Sequence, residues 1–160
     1  MSMEEKTREI QMPKARIFLV EDERLVVEDI KERLIRNGYA VIGTAVSGKD
    51  AIEAIKTTIP DLVIMDIRIN GELNGIEVAI ILQSYFDEPL PVIFLTGFSE
   101  SAFGYLKVLP EYIYLNKPFH ETILIEAVQR ALRAKPIGGD GHALRSPQIP
   151  GDGEDEPGAF

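Results

Sequence analysis

The sequence predicts an α/β fold, a doubly wound parallel sheet of five strands with helices on both faces. Three observations carry this. From Ala15 onward, short apolar runs alternate with longer amphipathic ones. The short runs are near-continuous in Val, Ile and Leu rather than alternating with polar residues, as in strands covered on both sides. Each pair of short runs is separated by enough chain for a right-handed helical crossover, which places helices on both faces.

The elements follow in order. "ARIFLV" is the first strand. Residues 24–37, "RLVVEDIKERLIRN", put Val26, Val27, Ile30 and Leu34 on one helical face, and Gly38 stands where a left-handed stop belongs. "YAVIGTAV" is the second strand. Ser47, with Asp50 three residues on, resembles a capping box with a shorter acid, opening a helix to about Thr58 that Pro60 breaks. "LVIM" is the third strand, 75–86 a third helix, "PVIFL" the fourth strand and "ESAFGYLK" a short helix. "YIYL" is the fifth strand and "HETILIEAVQRALRA" the last helix. The short helix spans about two turns and carries Gly104, so it is expected to be among the least stable elements and a moving part. The strand order expected for this pattern is the flavodoxin-like 2-1-3-4-5. Residues 1–14 read as an N-terminal extension and 15–134 as the folded domain. Residues 135–160, rich in Gly, Pro and acids, read as a flexible tail.

Composition narrows the function. The chain has 160 residues, a formal net charge of -9, 45% apolar and 27% charged residues, which fits one well-filled core. No apolar stretch approaches the roughly 20 residues of a membrane span, and the charged N-terminus lacks a secretory signal, so a cytoplasmic protein without membrane insertion is expected. Zero cysteines exclude disulfides and thiolate metal sites. The acidic balance argues against direct nucleic-acid binding.

Open parallel sheets bind ligands beyond the carboxyl ends of their strands, and every such end here is polar. They are Glu21-Asp22, Asp66, Thr96-Gly97 and Asn116-Lys117-Pro118. Taken singly, each has an ordinary explanation: acids complementing a helix N-terminus, a turn-former, a solvated lysine. Together they do not. If Glu21, Asp22 and Asp66 converge, each carboxylate pair about 5 Å apart repels by roughly 3 kcal/mol at an effective dielectric near 20, so a cation is expected. Oxygen donors without His or Cys favour Mg²⁺ or Mn²⁺ over zinc. An aspartate beside such a metal, a lysine and a hydroxyl is equipped to attack phosphorus and carry an aspartyl phosphate. His120, at the start of the last helix, and His142 are too isolated for a metal site.

Residues 15–134 resemble a response-regulator receiver domain of two-component systems. "VEDE" (20–23), "VIMDIRI" (63–69), "LTG" (95–97) and "NKPF" (116–119) carry the likeness. The resemblance implies Asp66 as phosphoacceptor, Asp22 and Asp66 as direct metal ligands, Glu21 acting through water, and the backbone oxygen of Arg68 as a further ligand. It implies that Thr96 binds the incoming phosphoryl group, that Lys117 neutralises it, and that Tyr114 is the switch aromatic. The loop "IRINGELNG" departs from the commonest pattern, lacking a proline and running about one residue longer. Arg68 and Phe98 stand where the family tunes phosphoryl lifetime, and bulky Phe98 predicts slow self-hydrolysis. The implied partners are a sensor histidine kinase or phosphotransfer protein and a downstream protein, with homodimerisation allowed. Leu25 is a candidate kinase contact and Ile80 a weaker partner contact. The alternative within this reading is a receiver excised from a hybrid kinase or larger regulator. Two other classes compete: a flavodoxin-like cofactor protein, against which "EDER" would repel a flavin phosphate, and a metal-dependent phosphatase, which lacks a second acid where Arg68 stands.

Overall fold

The computed structural model describes residues 11–97 and 112–134. In chain order these form β1 (Arg16–Val20), α1 (Arg24–Arg36), β2 (Ala40–Ala45), α2 (Gly48–Thr58), β3 (Leu62–Asp66), α3 (Gly75–Gln83), β4 (Val92–Thr96), β5 (Ile113–Asn116) and α4 (Glu121–Arg133). The short helix expected around Gly104, the site of Phe98 and the tail lie outside the described residues.

The five strands pair in parallel in the order β2-β1-β3-β4-β5, as expected. Successive residues of a strand face opposite layers, so the near-continuous apolar runs feed two cores at once. Phe18, Val63, Met65 and Phe94 join Ile55, Val78 and Leu82 of α2 and α3 on one side. Ile17, Leu62, Ile64 and Leu95 join Ile30, Leu34, Leu124 and Val128 of α1 and α4 on the other. Burying one such side chain fully stabilises by about 1.5–3 kcal/mol, and β3 and β4 are buried along their whole length. The centre of the sheet is therefore its most fully buried part.

Local signals set the element ends. Gly38 adopts φ +89 after α1, a left-handed stop that its missing Cβ permits. Ser47 caps α2 by accepting the Asp50 N–H at 3.3 Å. Ile59 closes α2 in the left-handed region at φ 48, since Pro60 behind it disfavours a further right-handed turn. The other described elements begin and end within one residue of the sequence expectation, but α3 ends at Gln83, not at 86. The Gln83 amide instead holds Leu90, accepting its N–H and donating to its carbonyl at 2.9 Å each, and donates to the Tyr112 hydroxyl at 3.0 Å. Phe86 then turns into the core.

Candidate functional site

The carboxyl edge of the sheet gathers the polar residues. β1 hands on directly to Glu21 and Asp22, while Asp66, Thr96 and Asn116 are the last residues of β3, β4 and β5, and Lys117 follows. Asp66 closes an apolar run because β3 is central: every earlier residue serves the two cores, and only the last one reaches the edge.

There, one carboxylate oxygen from each of Glu21, Asp22 and Asp66 lies within 4.8 Å of the others. Lys117 Nζ donates to Glu21 Oε2 at 2.7 Å and to Asp66 Oδ2 at 2.5 Å. The Arg68 N–H donates to Asp66 Oδ1 at 2.8 Å, and the Glu23 N–H to Glu21 Oε1 at 3.2 Å. Glu21 is wholly buried and Asp66 nearly so, whereas Asp22 is exposed. Burial pushes the Glu21 carboxyl up to about 7, with Asp66 adding to the rise and Lys117 opposing it. For Lys117, burial favours the neutral amine, but its bonds to Asp66 and Glu21 outweigh this and raise its pKa, so it stays charged. Two carboxylates thus share one ammonium, and a third, Asp22, stands beside them. A donor set of clustered carboxylate oxygens without His or Cys fits a hard divalent cation of the Mg²⁺ type.

The loop after Asp66 is anchored. Asn70 forms a parallel bridge with Ser47, and Ile69 and Leu73 pack against the core, which accommodates the longer, proline-free segment. Where the loop re-enters helix, the Gly75 N–H donates to the Ile67 carbonyl at 2.8 Å, and a Cβ at Gly75 would strike the Asp66 carbonyl oxygen. α3 therefore begins directly on the backbone of Asp66.

Of the residues singled out in the sequence, Glu21, Asp22, Asp66, Arg68 and Lys117 meet in space. Thr96, buried at the end of β4, donates its hydroxyl to Asn116 Oδ1 at 2.7 Å. Tyr114 stacks on Phe94, ring centroids 5.4 Å apart at 28°. Leu25 is 84% and Ile80 53% exposed. His120 precedes α4 without a side-chain capping bond. Two partnerships went unread in the sequence, Glu21 with Lys117 and Thr96 with Asn116. The second had a signal: in order 2-1-3-4-5, strands four and five are neighbours and both end in a polar residue.

Residues 17–129 match the response regulator receiver domain family. The chain belongs to that family. Receiver domains are phosphoacceptor switches of two-component signalling rather than classical enzymes; they bind Mg²⁺ at an acidic pocket and interact with histidine kinases or phosphotransfer proteins. This receiver is similar to the transcriptional regulatory protein PdtaR of Mycobacterium tuberculosis, 34% identical over 118 residues, which are 73% of this chain and 56% of that protein. It is also similar to the transcriptional regulatory protein YvrH of Bacillus subtilis, 32% identical over 125 residues, 76% of this chain and 51% of that one. The chain spans about half the length of these curated relatives. Among solved structures, the signal receiver domain of a modulated diguanylate cyclase from Desulfovibrio desulfuricans matches with a TM-score of 0.67 at 29% identity, over 74% of this chain and 94% of that one. Among the described residues, no helix is long and apolar enough to cross a membrane.

Proposed function

We propose that Asp66 is the phosphoacceptor of this receiver and that residues 15–134 act as a signalling switch, flanked by 1–14 and 135–160. The observation that carries this is the three-carboxylate cluster with Lys117 bridging Glu21 and Asp66. A carboxylate oxygen of Asp66 attacks the phosphorus of a phosphohistidine on a sensor kinase or phosphotransfer protein. An O–P bond forms, the N–P bond breaks, and its electron pair returns to the imidazole, which takes up a proton. Lys117, already 2.5 Å from Asp66, compensates the charge of the transferred group. Thr96 donates its hydroxyl to a phosphoryl oxygen. Mg²⁺ or Mn²⁺, held directly by Asp22, Asp66 and the backbone oxygen of Arg68 and through water by Glu21, would supply the positive charge that the lysine alone does not.

The new charge-assisted hydrogen bonds, at roughly 1.5–3 kcal/mol each, are comparable in sum with the about 5.5 kcal/mol that carries a two-state equilibrium from 1:99 to 99:1. Thr96 moves toward the phosphoryl group, Tyr114 changes its packing, and the altered surface meets a downstream protein or a second copy. Water ends the cycle by hydrolysing the aspartyl phosphate, and Phe98 slows that step. The output is protein contact rather than direct nucleic-acid binding, in keeping with the net charge of -9. The greater length of the curated relatives favours a second reading, in which this receiver works as a module of a larger regulator.

Incubation with Mg²⁺ and acetyl phosphate, followed by intact mass, tests the chemistry. The expected outcome is one added PO₃ group on the wild type and none on Asp66→Asn. Equal incorporation into both would reject Asp66.

A further inference from the structure

We infer that Asn116 is a positioning residue, a latch that holds the Thr96 hydroxyl in the unphosphorylated receiver and must open before Thr96 can serve a phosphoryl group. The inference rests on the reading of Asp66 as phosphoacceptor and adds a residue to it.

Thr96 and Asn116 are register partners at the ends of β4 and β5. Their side chains meet in a 2.7 Å hydrogen bond from hydroxyl to amide oxygen. Thr96 is only 3% exposed, so water offers that hydroxyl little alternative. A hydroxyl has one proton to give, and while Asn116 holds it, a phosphoryl oxygen beside Asp66 cannot. The backbones stay tied during any exchange, because the Lys117 N–H donates to the Thr96 carbonyl at 2.8 Å. The latch therefore opens by rotation of the Thr96 side chain, not by separation of the strands.

One rung back on the same face sits the other register pair, Phe94 with Tyr114, stacked in the core. Thr96 and Phe94 are two residues apart on β4, as Asn116 and Tyr114 are on β5. Opening the outer rung removes a side-chain tie two residues from Tyr114 on the same face of β5, while the backbone pairing stays in place. Asn116 thus couples the hydroxyl at the acidic edge to the aromatic behind it. The competition favours phosphorylation, since a hydrogen bond to a charged oxygen is about twice as strong as one to a neutral amide. Removing the latch lowers the resistance by the worth of one neutral hydrogen bond, about a 2- to 12-fold change.

The test uses the full chain with Mg²⁺ and acetyl phosphate. Asn116→Ala is expected to raise the initial rate of phosphoryl incorporation by about 2- to 12-fold over wild type. In the unphosphorylated variant, the Thr96 methyl resonance is expected to move toward its position in phosphorylated wild type. In a Thr96→Ala background the same substitution should change nothing, and Asn116→Asp, which keeps and charges the acceptor oxygen, should give no gain in rate over wild type. Asn116→Val serves if the alanine variant does not fold. An unchanged or lower rate for Asn116→Ala, a stationary methyl resonance, or an equal gain without the Thr96 hydroxyl overturns the latch. Failure of the wild type itself to take up phosphoryl groups is a different result, which removes the Asp66 reading beneath it.

Discussion

Just before β3, Asp61 accepts the Arg16 N–H at 2.8 Å while its own N–H donates to the Arg16 carbonyl, also at 2.8 Å. The Arg16 guanidinium meanwhile donates to the carbonyls of Thr58 and Ile59 at the end of α2. Five residues on, Asp66 closes the same strand in a setting of the opposite kind. It shares a single ammonium with Glu21, Asp22 stands alongside, and Arg68 supplies one N–H. The first aspartate belongs to a reciprocal backbone pairing that fastens β1 to the entry of β3. The second belongs to a cluster in which negative charge exceeds positive, which folding alone would not favour. The strand thus has a paired acid before its first residue and a crowded one as its last.

The contrast would collapse if the two acids proved exchangeable. Asp66→Asn should abolish phosphoryl incorporation from acetyl phosphate, while Asp61→Ala should keep the wild-type rate, both read by intact mass. Next in size is Lys117→Ala, expected to slow incorporation by about 10²-fold, the cost of losing a preorganised charge partner; a loss under twofold would make Lys117 merely structural. Glu21→Gln sharpens the comparison through pH. The folded-state pKa of Glu21, about 7, lies above the ordinary carboxylate value, so the folded protein binds that proton more tightly than the unfolded chain. Its contribution is present below the unfolded pKa and is lost as pH rises through about 7. In chelator, Glu21→Gln should therefore gain roughly 1–3 kcal/mol over wild type at pH 8 and much less at pH 5. Urea midpoints at the two values would show it, and a gain independent of pH would contradict it. The smallest effect is the stability loss of Asp61→Ala, about 0.5–1.5 kcal/mol for one hydrogen bond, measured by the same denaturation.

What could be read in advance follows the range of the interactions. β3 and β4 announce themselves because both faces are buried, and Asp66 and Thr96 stand out as polar residues closing apolar runs. Gly38 and Ser47 act on neighbours a few residues away and were equally readable. The end of α3 was not. Tyr85 and Phe86 continue a helix-like apolar pattern, and the clamp that stops it joins Gln83 to Leu90 and to the hydroxyl of Tyr112, 29 residues on. The burial of Glu21 was hidden for the same reason, since its lysine lies 96 residues away. The chemical classes of the site were legible residue by residue; its pairings depend on which strands lie side by side.

The seat of α3 on Asp66 has a mechanical corollary. At Gly75 main chain rests on main chain, with no side chain between to act as a cushion, and at the far end the grip on Leu90 stops the rod from sliding. A beam propped at both ends is an abutment. A side chain added at Gly75 would have to displace either the start of α3 or the backbone of Asp66.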